Sequence, residues 1–173
     1  MITIISGTNR NFSKTLVVAQ AYSKILTGLG AENQIFSLND LPADIASTYL
    51  SDPKEEKFNV LLEKYIRPIE KFVAVVPEYQ GTFPGIFKLL LDGIPPRYFD
   101  NKKIALVGVA SGRGGNLRGM DHLTAAFHYL NMHVLPNKLP ISRIRDLVNA
   151  EFLLSDEGTL AALKKQGKQF LEY

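Results

Sequence analysis

The chain has 173 residues, 46% of them hydrophobic, with 20 basic and 17 acidic side chains and a net charge of +3. That length suits one globular domain with a layered core, and the charges are scattered along the chain, not gathered into the stripe a nucleic-acid groove needs. With no cysteine, disulfides, thiol catalysis and thiolate metal sites are excluded, and a reducing compartment is compatible.

Met1 opens directly into an apolar run without a basic n-region or cleavage site, so neither a signal peptide nor a membrane span is expected, and a cytoplasmic location is. Residues 2–5, ITII, are β-branched and apolar throughout, the pattern of a strand covered on both faces. A helix follows, with Val18, Tyr22, Ile25, Leu26 and Leu29 forming its apolar stripe, Ser13 as N-cap and Gly28 and Gly30 at its end. A second strand is predicted over 34–37, then a loop through Asn39 to Pro42 and a helix from Pro53 to Ile66. FVAVV, 72–76, is the next buried strand, followed by the loop PEYQGTFPG, a helix over 86–94 and the turn-rich stretch 95–103. IALVGVA, 104–110, is another, ending in SGRGGNLRG. A helix over 120–130, a short strand at 133–135 and a last helix over 156–170 complete the pattern.

Strands alternating with helices, with central strands apolar on both faces, predict an α/β fold: a doubly wound, five-stranded parallel sheet in three layers. The flavodoxin-like strand order 2-1-3-4-5 is expected, over one domain spanning 1–173. Ligands in such folds sit beyond the carboxyl ends of the strands, near the switch point, where GTNRNFSKT, PEYQGTFPG and SGRGGNLRG would meet.

The first loop carries Thr8, Arg10, Ser13, Lys14 and Thr15 at a helix N-terminus. That set suits a single terminal phosphate, with arginine adding a charge-assisted contact. A triphosphate loop does not fit: Gly7 stands seven positions before Lys14 where that loop needs six, and Ser13 replaces its second glycine. The plainer alternative makes Ser13 a helix cap and Arg10 a solvated side chain. In the second loop Tyr79 offers packing, and Gln80 and Gly81 offer N–H groups to a flat ring, although a tyrosine taken alone is more often a partly buried core aromatic. In the third, Gly112, Gly114 and Gly115 allow close approach of backbone to a ligand. One phosphate site beside two ring-lining loops suits flavin mononucleotide, FMN.

These motifs resemble the NAD(P)H-dependent FMN reductase family of quinone, azo-dye and chromate reductases, over nearly the whole chain. The phosphate loop G-S-x-R-x-x-S-x-[NT] is matched by Gly7 to Thr15, and P-E-Y-N-x-S-x-P-G-x-L-K-N by Pro77 to Leu89. The resemblance implies that Thr8, Arg10, Ser13 and Thr15, with Lys14 in the same loop, bind the FMN phosphate. Pro77, Glu78, Tyr79, Gln80 and Gly81 would line the ring, and Ser111, Gly112, Arg113, Gly114 and Gly115 its other edge. It further implies NADPH or NADH as donor, a small-molecule acceptor, and a homodimer or homotetramer, to which the PPRYF segment could contribute. Three positions depart from the family: Gln80 for asparagine, Leu89 for asparagine and Gly93 for tryptophan.

A flavin would supply the redox chemistry, so no catalytic acid, base or nucleophile is expected, and ping-pong kinetics are. Arg113 and Arg118 are candidates for a nicotinamide cofactor phosphate. His122, His128 and His133 lack the spacing that sets two metal ligands on one helical face, and no metal site is expected. Ser111 lacks a nucleophile-elbow context, and Asp40, Asp52 and Asp92 do not follow the first or third strand as a receiver-domain magnesium site requires. The rival reading is a flavin-binding electron carrier or sensor without turnover; the basic charge disfavours a carrier that docks on basic partners.

Overall fold

The computed structural model describes residues 1–52 and 54–173. Its strands are β1 (Ile2–Ser6), β2 (Asn33–Ser37), β3 (Lys71–Pro77), β4 (Lys103–Val109), β5 (His133–Val134) and β6 (Leu139–Ile141). The helices are α1 (Lys14–Gly28), α2 (Ile45–Thr48), α3 (Glu56–Tyr65), α4 (Gly85–Gly93), α5 (Leu117–Tyr129), α6 (Ile144–Leu147) and α7 (Glu157–Glu172). All pairings in the sheet are parallel, in the order β2-β1-β3-β4-β5, so the predicted doubly wound order is the observed one.

The fifth position differs from the single short strand expected there. It is split: His133–Val134 pairs with Lys103–Ile104, and Leu139–Ile141 pairs with Val107–Val109. The ladder runs from His133 N–H to Lys102 O and from Leu135 N–H to Ile104 O and then stops, because the chain turns at Pro136, whose carbonyl accepts from the Lys138 N–H at 3.0 Å, and Asn137 does not donate to Leu106 O. The gap leaves the carbonyl of Leu106 without a strand partner, and a buried side chain replaces it. Gln166 Nε2 donates to Leu106 O at 3.0 Å and to Asn137 O at 2.7 Å, while its Oε1 accepts from the Tyr22 hydroxyl at 3.1 Å. Burial pushes the Tyr22 phenol well above its ordinary pKa, so it stays a neutral donor.

Alternation along the strands divides the core in two. Phe72, Ala74, Val76, Ile104 and Leu106 face α3, α4 and α5, whereas Val73, Val75, Ala105, Val107 and Val109 face α1 and α7. Helix α5 begins at Leu117, three residues before the expected start, because Asn116 takes a left-handed conformation and donates from Nδ2 to Val76 O at 2.9 Å. Helix α3 runs over Glu56–Tyr65; the expected start at Pro53 lies outside the described residues.

Helix α4 explains one departure from the family pattern. A Cβ on Gly93 would come within 2.9 Å of the Phe58 ring on α3. Phe58 therefore fills the space that a large side chain on α4 would otherwise take.

Candidate functional site

The loops leaving β1, β3 and β4 converge at the carboxyl edge of the sheet around a cleft of about 470 Å³. Arg10, Ser13, Lys14, Thr15, Pro77, Glu78, Tyr79 and Ser111, all singled out from the sequence, line it, together with Asn11, Phe12, Val109, Ala110, Ile144 and Arg145.

The start of α1 forms its anion-facing wall. Ser13 has extended backbone, and its Oγ accepts from the Leu16 N–H at 3.2 Å, so the expected N-cap is present. Among the described residues, the backbone N–H groups of Asn11, Phe12, Ser13, Lys14 and Thr15 meet no protein acceptor. Free amides at a helix start attract an anion. Arg10 is exposed and belongs to no ion pair among the described residues. The Lys14 ammonium lies 4.9 Å from the centre of the Phe152 ring.

Thr8 stands behind this wall and is 1% exposed. Its Oγ1 lies 2.8 Å from the Tyr79 hydroxyl and accepts from the Arg10 N–H at 3.3 Å, so it ties the first and second loops together.

Gln80 and Gly81 lie outside the cleft lining, at the tip of a tight turn. The N–H of Tyr79 donates to Thr82 O at 2.8 Å and the N–H of Thr82 to Tyr79 O at 3.1 Å. With φ of +50° at Gln80 and +78° at Gly81, this is a two-residue turn of the hairpin kind. Thr82 Oγ1 then meets His122 Nδ1 at 2.7 Å, which docks the turn on α5. Arg118, also on α5, lies over Gly81.

The three glycines of the third loop have different reasons to be there. Gly115 has φ of +56° and sits so close to Pro140 that an added Cβ would come within 2.5 Å of it. Its own fold demands glycine. Gly112 would meet nothing within 4 Å, and Gly114 only Glu78 Oε2 at 3.8 Å. Neither has a left-handed backbone, so neither packing nor conformation requires glycine there; of this loop Ser111 lines the cleft, and Gly112, Arg113, Gly114 and Gly115 lie outside its lining. Arg113 is exposed at the rim, and its carbonyl accepts from Ser142 Oγ at 2.6 Å.

Arg145 and Ile144 were not singled out from the sequence. They come from α6, which follows the split strand, and the only local signal was the basic pair flanking Ile144. A second cleft of about 640 Å³ shares Tyr79 with the first; Leu38, Leu41, Ile45, Pro84, Ile86 and Leu89 make it largely apolar. Leu89, one of the family departures, therefore faces this second cleft. Among the described residues no three His, Asp or Glu side chains gather as a metal site, and no helix is long and apolar enough to cross a membrane.

The donor set fits FMN: free amides, a hydroxyl and a guanidinium for a phosphate, and uncrowded glycines for a ring edge. Comparison with known proteins points the same way. The chain is 24% identical over 140 residues to an NADPH azoreductase of Bacillus sp. strain OY1-2, covering 80% of this chain and 74% of that one. It is 23% identical over 137 residues to an FMN reductase (NADPH) of Pseudomonas aeruginosa, covering 78% and 73%. In fold it resembles the flavoenzyme NAD(P)H:(acceptor) oxidoreductase FerB of Paracoccus denitrificans, with a TM-score of 0.77 at 19% identity over 99% of this chain and 95% of that one. An FMN-dependent NADH-azoreductase of Bacillus anthracis in complex with FMN has a TM-score of 0.62 at 12% identity, over 97% and 98%. Residues 1–146 match the family described as NADPH-dependent FMN reductase, and to that family the chain belongs.

Proposed function

We propose that the protein binds FMN in the cleft at the ends of β1, β3 and β4, takes reducing equivalents from NADPH or NADH, and delivers them to a small organic acceptor. The observation that carries this reading is the cleft itself, where unbonded amides from Asn11 to Thr15 share one space with Arg10, Tyr79 and Ser111. In this reading Arg10, Ser13, Lys14 and Thr15 hold the phosphate, and Thr8 acts through its contact with Tyr79. Pro77, Glu78 and Tyr79 line one side of the ring, with Gln80 and Gly81 in the turn just beyond it, and Ser111 leads the glycine loop, Gly112 to Gly115, past the other edge. Arg113 and Arg118, at the exposed rim, meet the donor's phosphate.

Bound FMN supplies hydride acceptance and onward electron delivery. The chain's own residues bind, orient and exclude water, and none is asked to act as acid, base or nucleophile. The second cleft favours an acceptor with a nonpolar ring, such as a quinone or azo compound, over a metal oxyanion, because most of its lining is apolar and none of its lining side chains is cationic. A cytoplasmic homodimer or homotetramer belongs to the same reading.

The test is an absorbance spectrum after FMN loading and desalting, followed by NADH and NADPH without air. A retained flavin that bleaches with one nucleotide is the expected result and names the donor. Retention without bleaching would favour a carrier or sensor. Ping-pong kinetics are expected, with donor and acceptor occupying one face of the ring in turn, and a sequential pattern with a quinone would overturn that.

A further inference from the structure

The cofactor cleft has a cation that no family motif marks. Arg145 lines the same cleft as Arg10, Ser13 and Thr15, although it lies 135 positions along the chain from Arg10. Its backbone is held firmly. Ile144, 3% exposed, donates from its N–H to Ala110 O at 3.0 Å. The Arg143 N–H donates to Gly112 O at 2.9 Å, and Ser142 Oγ to Arg113 O at 2.6 Å. The segment before Arg145 is thus seated on the glycine loop.

Two further observations bear on what the cleft can hold. Thr15 is 3% exposed and lines the cleft, yet its hydroxyl has no hydrogen-bond partner among the described residues. Arg10, Lys14 and Arg145 share the cleft lining with a single carboxylate, Glu78, and none of the three is in an ion pair among the described residues. An excess of two positive charges beside free helix amides complements a phosphate dianion.

We propose that Arg145 is a second guanidinium for the phosphate of the cofactor, closing from α6 the anion site that Arg10 and the first turn of α1 form from the other end of the chain. This rests on the FMN reading above. It makes phosphate capture depend on the split fifth strand as well as on the first loop, and it links the phosphate site to the ring-edge loop through the bonds to Gly112 and Arg113.

The experiment compares FMN with riboflavin, which lacks the phosphate, by flavin fluorescence titration of the wild type, R145Q and R145K. Expected is a loss of roughly 10- to 100-fold in FMN affinity for R145Q with riboflavin unchanged, and an intermediate loss for R145K, which keeps charge but not the planar fork. Equal weakening of both flavins, or of neither, would overturn the proposal. So would an unchanged FMN affinity with a raised KM for NADPH alone, which would assign Arg145 to the donor. A wild type that binds no flavin fails the FMN reading instead. Inorganic phosphate, followed by the amide NMR signals of Ser13 and Thr15, then tests Arg145 separately: shifts that R145Q abolishes support the anion role, and shifts that it leaves intact overturn it.

Discussion

The Tyr79 hydroxyl and Thr8 Oγ1 lie 2.8 Å apart and join two loops separated by 71 residues in sequence. Tyr79→Phe keeps the ring and removes only this bond. A loss of about 1 kcal/mol in unfolding free energy is expected, the usual net worth of one hydrogen bond. FMN affinity should fall as well, because the first loop loses its tie to the ring-lining loop. Urea unfolding with a parallel FMN titration checks both; unchanged stability would mean the bond is not formed in solution.

The third loop separates structural from ligand glycines. Gly115→Ala puts a Cβ against Pro140 in a left-handed backbone and should cost about 1–3 kcal/mol. Gly112→Ala and Gly114→Ala should leave apo stability within about 0.5 kcal/mol while weakening FMN. Thermal melts with and without FMN distinguish the two groups.

Gln80 occupies a left-handed position that suits asparagine better, since a short amide bonds to its own local backbone. Gln80→Asn is therefore expected to stabilise the protein, by about 0.5–1 kcal/mol as a fraction of the left-handed penalty. An unchanged or lowered denaturation midpoint would show that the longer amide makes up for the strain.

Gly93→Trp alone should be severely destabilising, by more than about 3 kcal/mol, because Phe58 already fills its space. Combining it with Phe58→Ala should recover part of the loss, with a coupling of about 0.5–3 kcal/mol between these neighbours. A double-mutant cycle by chemical denaturation measures it, and strict additivity would refute the exchange.

Gln166→Leu leaves Leu106 O, Asn137 O and the Tyr22 hydroxyl without their partner. Each buried unsatisfied group costs about 1–3 kcal/mol, so a loss of several kcal/mol is expected despite the gain in apolar volume. A variant as stable as the wild type would mean that water satisfies these groups.

Much of the fold was legible because short apolar runs such as ITII and IALVGVA, alternating with helical patterns, read as strands buried on both faces, and each ended in a loop of unusual composition. Those loops located eight of the cleft-lining residues: Arg10, Ser13, Lys14, Thr15, Pro77, Glu78, Tyr79 and Ser111. Arg145 was hidden because Leu139-Pro140-Ile141 is too short and too proline-interrupted to announce a strand, and an arginine has no periodicity of its own. The left-handed Gln80 could not be foreseen, since glutamine carries no turn signal. The pairing of Phe58 with Gly93 is a match of volumes across two helices, which no local pattern encodes. The three glycines looked alike in sequence, and only their neighbours separate Gly115 from Gly112 and Gly114.

The broken fifth strand also determines how the molecule can associate. An intact outer strand would offer a row of unsatisfied backbone groups to a second sheet, an invitation to edge-to-edge growth and aggregation. Here the row is interrupted: Pro136 and Pro140 supply no N–H, the carbonyl of Asn137 is taken by Gln166, and that of Val134 accepts from the Tyr173 hydroxyl at 3.3 Å. On this side the sheet offers no continuous ladder of free backbone groups to another strand.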